Sequence, residues 1–279
     1  MQIQEISGKI ILVGAGKMGL ALAHGWLKAG LNAKNLILVD PKPQQSTIEL
    51  AKEYGAFLAP KLPENIEPKI LVLAVKPQII EPVMASLKNQ ITKNTIIISI
   101  AAGIDFINLN KALGTDKIIR AMPNTPVAVG KGVVGAVAFS GVNENEREIA
   151  NALLAASSKT FWFDNETDLN ALTFVSGCGP AYVFLLVEAM AKAGVEQGLE
   201  PNQAKLLARQ TIIGAAKLME EDLSEASVLR QNVTSKGGVT EAALSVLMEE
   251  KGFDYLFSKA FKKAKKRNLE LGQSKIGTI

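Results

Sequence analysis

The chain's 279 residues, 48% hydrophobic and 21% charged, suffice for a sizeable core in about two domains and are ordinary for a soluble globular protein. One cysteine and one histidine exclude an internal disulfide and His-rich metal sites, and leave little room for histidine-based catalysis. The net charge of +4 is concentrated near the C-terminus: residues 251–279 carry eight Lys/Arg against two acidic residues, so the remainder is net −2.

Ile10 to Val13 read as a short buried strand, and residues 17–29 as a helix stopped by Gly30. Between them, Gly14-Ala15-Gly16-Lys17-Met18-Gly19 fits G-x-G-x-x-G in the strand-then-helix context that gives the pattern meaning. Gly14 permits a tight turn, Gly16 lets backbone approach a pyrophosphate, and Gly19 lets helix and strand pack closely. The helix start then offers free N–H groups to phosphates. Leu36 to Val39 form the next strand, ending in Asp40. Asp40 lies about 20 residues past the glycines, where an acid meets a dinucleotide's ribose.

Pro41-Lys42-Pro43 makes a turn, and residues 45–53 form a short helix closed by Gly55. Residues 69–75 are a continuous apolar strand, as a parallel sheet covered on both faces requires. Ala74-Val75-Lys76-Pro77 follows at its carboxyl end, with Pro77 opening a helix to about Lys88. Residues 95–100 are a strand ending in Ala101-Ala102-Gly103; Asp105 then caps a helix to Leu113. A strand over 117–122 leads into Pro123-Asn124-Thr125-Pro126, and strands over 133–139 and 160–164 flank a helix near 143–158. This alternation predicts a doubly wound sheet, whose ligands bind beyond the carboxyl ends of its strands.

After Asn165 strand signals stop, which divides the chain into domains 1–164 and 165–279. Residues 166–175 are helical, and Ser176-Gly177-Cys178-Gly179-Pro180 is expected to break that helix. The next helix, 180–193, is apolar all round through Val183-Phe184-Leu185-Leu186-Val187, so it must be buried on every side. A second subunit packing around it is the simplest solution. Further helices run from Pro201 to about Glu220 and from the loop Ser235-Lys236-Gly237-Gly238-Val239-Thr240 to about Glu250. Phe253, Leu256, Phe257, Ala260, Phe261 and Ala264 form an amphipathic terminal helix with a solvated basic face. No nucleic-acid or membrane partner is expected from it. The longest apolar run, near Ile96–Ile104, falls short of the roughly 20 residues that a bilayer span needs. Met1-Gln2-Ile3-Gln4-Glu5 has no basic-then-apolar leader, so a cytoplasmic location is expected.

Together these stretches resemble the pyrroline-5-carboxylate reductases over nearly the whole chain. Gly14 to Gly19 is similar to that family's cofactor loop, Ala74 to Pro77 to its A-V-K-P turn, and Ser99 to Gly103 to S-I-A-A-G. Ile119 to Pro126 reproduces I-R-A-M-P-N-T-P, and Ser176 to Phe184 resembles S-G-S-G-P-A-Y-V-F with Cys178 in place of a serine. Ser235 to Thr240 stands where the family reads S-P-G-G-T-T, with Lys236 for proline and Val239 for threonine.

The resemblance implies an N-terminal α/β Rossmann-type doubly wound sheet followed by an all-helical C-terminal dimerisation domain. It implies hydride transfer from NAD(P)H to the C=N bond of 1-pyrroline-5-carboxylate, giving L-proline, in a homodimer or an oligomer of dimers. The expected cofactor residues are Gly14, Ala15, Gly16, Lys17, Met18, Gly19, Asp40, Ala74, Val75, Lys76, Pro77, Ala101, Ala102 and Asn124. Ser235, Gly237, Gly238 and Thr240 would hold substrate, with Thr240 on the ring nitrogen as the catalytic contact. No metal is needed, because a protonated imine is already electrophilic. NADP(H) is the family's usual cofactor, whereas Asp40 would repel a 2′-phosphate and favour NAD(H), so use of both is expected. The alternatives are a reductase of the same architecture acting on another imino or oxo acid, suggested by Lys236 and Val239, and a non-catalytic dinucleotide-binding regulator.

Overall fold

The structure, a computed structural model, describes residues 1–273. Its strands are β1 (Lys9–Val13), β2 (Leu36–Val39), β3 (Phe57–Ala59), β4 (Pro68–Leu73), β5 (Ile96–Ser99), β6 (Ile118–Pro123), β7 (Gly132–Ala138) and β8 (Ser158–Trp162). They form one sheet in the order β3-β2-β1-β4-β5-β6-β7-β8. Helices α1 (Lys17–Lys28), α2 (Gln45–Tyr54), α3 (Ile80–Leu87), α4 (Phe106–Leu113) and α5 (Glu144–Leu154) alternate with these strands. Both faces of the sheet are covered over its central strands, so β1, β2, β4, β5 and β6 bury residues of both parities, whereas the edge strands β3 and β8 do not. Ile10 and Leu12 pack with Leu22 and Trp26 of α1, while Ile11 and Val13 pack with Ile80 and Met84 of α3.

The expected doubly wound sheet is present, with two additions. The short strand β3, pairing in parallel with β2, is at three residues too brief to be seen in the sequence. The β6–β7 pair is antiparallel, because only a 3₁₀ segment, Thr125–Val129, connects them; a parallel return needs a longer crossover. The chain order reverses at β1, which lies between β2 and β4. Ligand sites in such sheets open at that switch point.

The remaining helices are α6 (Glu166–Leu172), α7 (Gly179–Glu196), α8 (Pro201–Glu221), α9 (Ala226–Asn232), α10 (Val239–Leu247) and α11 (Phe253–Gln273). The expected break at residues 176–180 does not occur. A π-helical turn, Thr173–Gly177, joins α6 to α7, so the helix runs unbroken over Glu166–Glu196. The Cys178 N–H reaches back to the Thr173 carbonyl at 2.9 Å, five residues away. The wider turn takes in an extra residue, and Pro180, in the first turn of α7, is accommodated without a break.

Packing divides the chain at Cys178/Gly179, beyond the 164/165 boundary at which strand signals stop. One compact unit is Met1–Cys178 with the end of α11 from Arg267, and the other is Gly179–Lys266. The physical reason lies in α6. Its Leu169 is buried in the sheet's core, and its Glu166 pairs with the buried guanidinium of Arg120 on β6. The same carboxylate accepts the Phe106 N–H at 3.0 Å. Helical character therefore starts before the sheet unit ends.

The second unit has a small core of its own. Among the described residues its buried core consists of Ala191, Ala204 and Ala208, where α7 meets α8. Tyr182 sits edge-on to Phe257 of α11 at 5.7 Å. Phe184 and Leu185 on α7 and Leu206 on α8 are 62%, 63% and 69% exposed in the single chain. The expectation that α7 is enclosed on every side is thus not met within one chain. By length and composition alone, Glu166–Glu196 would also suffice to cross a bilayer, at a mean hydropathy of 1.5. It is a longer apolar stretch than the run near Ile96–Ile104, because the π-helical turn joins two helices that the sequence pattern separates.

Candidate active site

The turn at Gly14 is set at the switch point. Gly14 has φ +94°, its N–H donates to the Val39 carbonyl at 2.8 Å, and the Ala74 N–H donates to the Val13 carbonyl at 2.8 Å. A Cβ on Gly14 would lie 2.8–2.9 Å from Val75 and the Ala74 backbone. Gly14 of the loop 14–19 is therefore packed directly on Ala74 and Val75. Gly19 is closer still: a Cβ there would fall 2.1 Å from the Gly14 carbonyl oxygen. Gly16 is different, because a Cβ there meets nothing within 4 Å. The backbone at Gly16 faces open space at the start of α1, next to a helix N-terminus whose first N–H groups have no intrahelical partner. That cradle fits a dinucleotide's pyrophosphate in both shape and charge. Lys17 is exposed and Met18 half-buried beside it.

Asp40 does not stand free at the end of β2. Its carboxylate accepts the Ala15 N–H at 3.0 Å and the Lys42 N–H at 2.9 Å. It organises the glycine loop through both oxygens. Ala101 is buried, and its N–H reaches the Ser99 hydroxyl at 3.4 Å; Ala102 is half-buried beside it. Lys76 is exposed where the 3₁₀ segment Pro77–Ile79 begins. Asn124 is 6% exposed. Its amide donates to the Ser176 carbonyl at 3.1 Å and its oxygen accepts the Val133 N–H at 2.8 Å. The structure thus uses both ends of that side chain to tie β6 to β7 and to the π-helical turn.

In the second unit, Ser235 to Thr240 form a tight turn into α10. Gly237 has φ +70°, and Gly238 is the cap residue of α10. The Gly238 N–H donates to the Ser235 carbonyl at 3.0 Å. A Cβ on Gly238 would sit 2.3 Å from the Ser235 hydroxyl, which can rotate aside, and 2.9 Å from the Ser235 carbonyl oxygen, which cannot, so the close backbone approach favours glycine. Thr240 is exposed in the first turn of α10, and the Gly237 N–H is held by the Glu241 carboxylate at 2.7 Å. Lys236 and Val239, the departures from the resembled motif, are both exposed and leave this turn intact. A concavity of about 480 Å³ lined by Thr92, Lys93, Asp116 and Lys117 lies at the amino ends of β5 and β6 and includes none of the expected site residues.

Residues 166–271 match the family model described as pyrroline-5-carboxylate reductase dimerisation, and residues 9–103 match NADP oxidoreductase coenzyme F420-dependent. The chain is 38% identical over 269 residues to a pyrroline-5-carboxylate reductase of Haemophilus influenzae, covering 94% of this chain and 97% of that one. The chain belongs to the pyrroline-5-carboxylate reductase family. Among solved structures, the pyrroline-5-carboxylate reductase of Coxiella burnetii superposes with a TM-score of 0.86 at 32% identity, covering 95% of this chain and 99% of that chain. The Plasmodium falciparum pyrroline carboxylate reductase, crystallised with NADP bound, gives 0.81 at 30% identity, covering 95% and 98%.

The family assignment bears out the expected fold, a Rossmann-type sheet followed by a helical dimerisation domain. It also accounts for the exposed apolar surface of α7 and α8, since both lie within the matched dimerisation region. Sequence reasoning misses two buried polar residues next to these loops, Arg120 and Thr47. Arg120 is visible inside I-R-A-M-P-N-T-P but carries no signal of its partner, which is 46 positions away. Thr47 carries no signal at all.

Proposed function

We propose that this chain reduces 1-pyrroline-5-carboxylate to L-proline with NADPH or NADH, as a cytoplasmic homo-oligomer. The observation that carries the reading is the full-length kinship with pyrroline-5-carboxylate reductases, together with an intact glycine cradle open at Gly16. A reduced nicotinamide, when bound, supplies the hydride. Gly14 to Gly19 would hold its pyrophosphate, and Asp40, Ala74 to Pro77, Ala101 and Ala102 would complete its site, with Asn124, whose side chain is taken up by Ser176 and Val133, bracing the loop rather than touching the dinucleotide. A single cysteine and a dinucleotide-dependent reduction suit the reducing, cofactor-supplied cytoplasm.

The substrate's carboxylate would be received by the turn at Gly237 and Gly238, taking the place of the Glu241 carboxylate on the Gly237 N–H, while the Gly238 N–H to Ser235 holds the turn's shape. Thr240 would hydrogen-bond the ring nitrogen, holding the imine in its protonated, electrophilic form and fixing which face of C=N is presented. The imine carbon gains the hydride and the nitrogen keeps its proton, so the product is the secondary amine of proline. No strong acid or base is needed from the protein. Orientation and proximity can supply about 7–11 kcal/mol of barrier reduction. The deciding experiment is oxidation of NADPH and of NADH, in parallel, with 1-pyrroline-5-carboxylate, its six-membered homologue and a simple 2-oxo acid. Turnover only with the homologue or the oxo acid would replace the proposed substrate.

Thr240→Val keeps the side chain's shape and removes its hydroxyl. A hydrogen bond to a charged group contributes roughly 1.5–3 kcal/mol, so kcat/KM for the imine should fall about tenfold to a hundredfold. Part of that loss should appear in kcat, because the bond strengthens as the transition state forms. Dinucleotide affinity should stay unchanged. A wild-type kcat/KM would leave the loop's backbone as the whole substrate contact.

Asp40→Ser removes a negative charge from the expected ribose site. The ratio of specificity constants should shift toward NADPH. Because the carboxylate also holds the Ala15 and Lys42 N–H groups, affinity for both dinucleotides should fall. An unshifted ratio would mean that Asp40 serves the loop alone.

A further inference from the structure

Thr47 lies in the first turn of α2, fully buried at 0% exposure, outside every stretch that carries the family resemblance. Its backbone N–H already caps that turn through the Gln44 carbonyl at 2.9 Å. The side-chain hydroxyl instead crosses to the glycine loop and donates to the Ala15 carbonyl at 3.0 Å. Ala15 is itself 1% exposed, so water does not replace that donor. The Ala15 N–H goes to Asp40 at 3.0 Å. Both polar groups of Ala15 are thus held, one by the end of β2 and one by α2.

The Ala15 carbonyl shares its peptide plane with the Gly16 N–H. In a trans peptide the two point in opposite directions. Fixing the carbonyl toward Thr47 therefore fixes the Gly16 N–H away from it, at the one glycine of the loop whose outer side is open. Glycine's freedom makes this peptide easy to rotate, and an unheld loop would spread its N–H over several directions. We propose that Thr47 is a positioning residue for the dinucleotide, its hydroxyl locking the Ala15–Gly16 peptide so that the Gly16 N–H is pre-aimed at the pyrophosphate. This rests on the dinucleotide role given to the glycine loop above.

The test is direct titration of NADPH into wild-type, Thr47→Val and Thr47→Ser proteins, with melting temperatures and steady-state kinetics measured alongside. Valine retains the volume and loses the hydroxyl. The NADPH Kd of Thr47→Val should rise about tenfold, the net worth of one buried hydrogen bond. The KM for the imine, and kcat at saturating dinucleotide, should not move. Thr47→Ser should bind as wild type does. A purely structural role would instead lower the melting temperature and leave dinucleotide affinity alone. Wild-type affinity in Thr47→Val, or equal weakening in the serine variant, would overturn the proposal. Should the valine variant not fold, Thr47→Ala replaces it: alanine and serine both lack the methyl, and only serine keeps the hydroxyl, so equal affinities in those two would also overturn it. A wild-type protein that binds no dinucleotide would overturn the functional reading itself, and this inference with it.

Discussion

Leu185→Asp should convert the protein to monomers without unfolding the single chain. Leu185 is 63% exposed on α7 of one protomer, so a carboxylate there costs the isolated chain little. In the assembly the same position falls in the dimerisation region, where an unpaired carboxylate buried against a partner's apolar surface costs several kcal/mol. The contrast between the two states makes the variant informative. Light scattering should show the mass halve or fall further, while the sheet unit, whose large apolar core is complete within one chain, keeps its dinucleotide affinity. Reductase activity should drop steeply, because the second unit buries little more than three alanines by itself among the described residues. A fully active oligomer carrying Leu185→Asp would place the contact on another face of α7.

Gly19→Ala should nearly abolish dinucleotide binding. The added methyl would lie 2.1 Å from the Gly14 carbonyl oxygen. That neighbour is backbone, in the peptide plane whose Ala15 N–H is held by the Asp40 carboxylate, so it cannot swing aside as a side-chain end would. Helix α1 must move off β1, at a cost of about 3 kcal/mol or more. The start of α1, whose N–H groups are proposed to face the phosphates, moves with it. Dinucleotide affinity should fall about a hundredfold or more, measured by titration beside the melting temperature. Gly16→Ala is the matched comparison, since a Cβ there meets no protein atom; it should leave stability intact and impair only the bound state. Equal, near wild-type affinity in both would separate the glycines from any phosphate role.

Much of this architecture is legible in the amino-acid sequence. The strand and helix starts around Gly14 to Gly19, the αL stop at Gly55 and the Asp105 cap on α4 are local events, written in a few adjacent residues. The loops at the carboxyl ends of β1 and β4 follow once the sheet is parallel there. What stays hidden depends on distant partners. Arg120 needs Glu166 to be understood, and Thr47 needs the Ala15 carbonyl. Asn124 is expected near the cofactor from its motif, yet its amide and oxygen are taken up by Ser176 and Val133. The break expected at Gly177 to Pro180 rests on the residues' dislike of an α-helix. It does not allow for a π-helical turn, which lets the chain pass through without stopping.

That turn has a consequence for how this stretch tolerates change. An α-helix advances about 100° per residue, and Thr173–Gly177 holds one residue more than an α-turn would need. Removing one residue there would regularise the hydrogen bonding and swing every side chain from Gly179 onward by about that angle, carrying the Val183–Val187 stripe with it. Exchanging one small residue for another, as Cys178 stands for serine, leaves the count unchanged. Residues 173–177 therefore act as a phase-keeper: the joint is insensitive to spelling and intolerant of length, and gaps should be rarer there than its glycines would suggest.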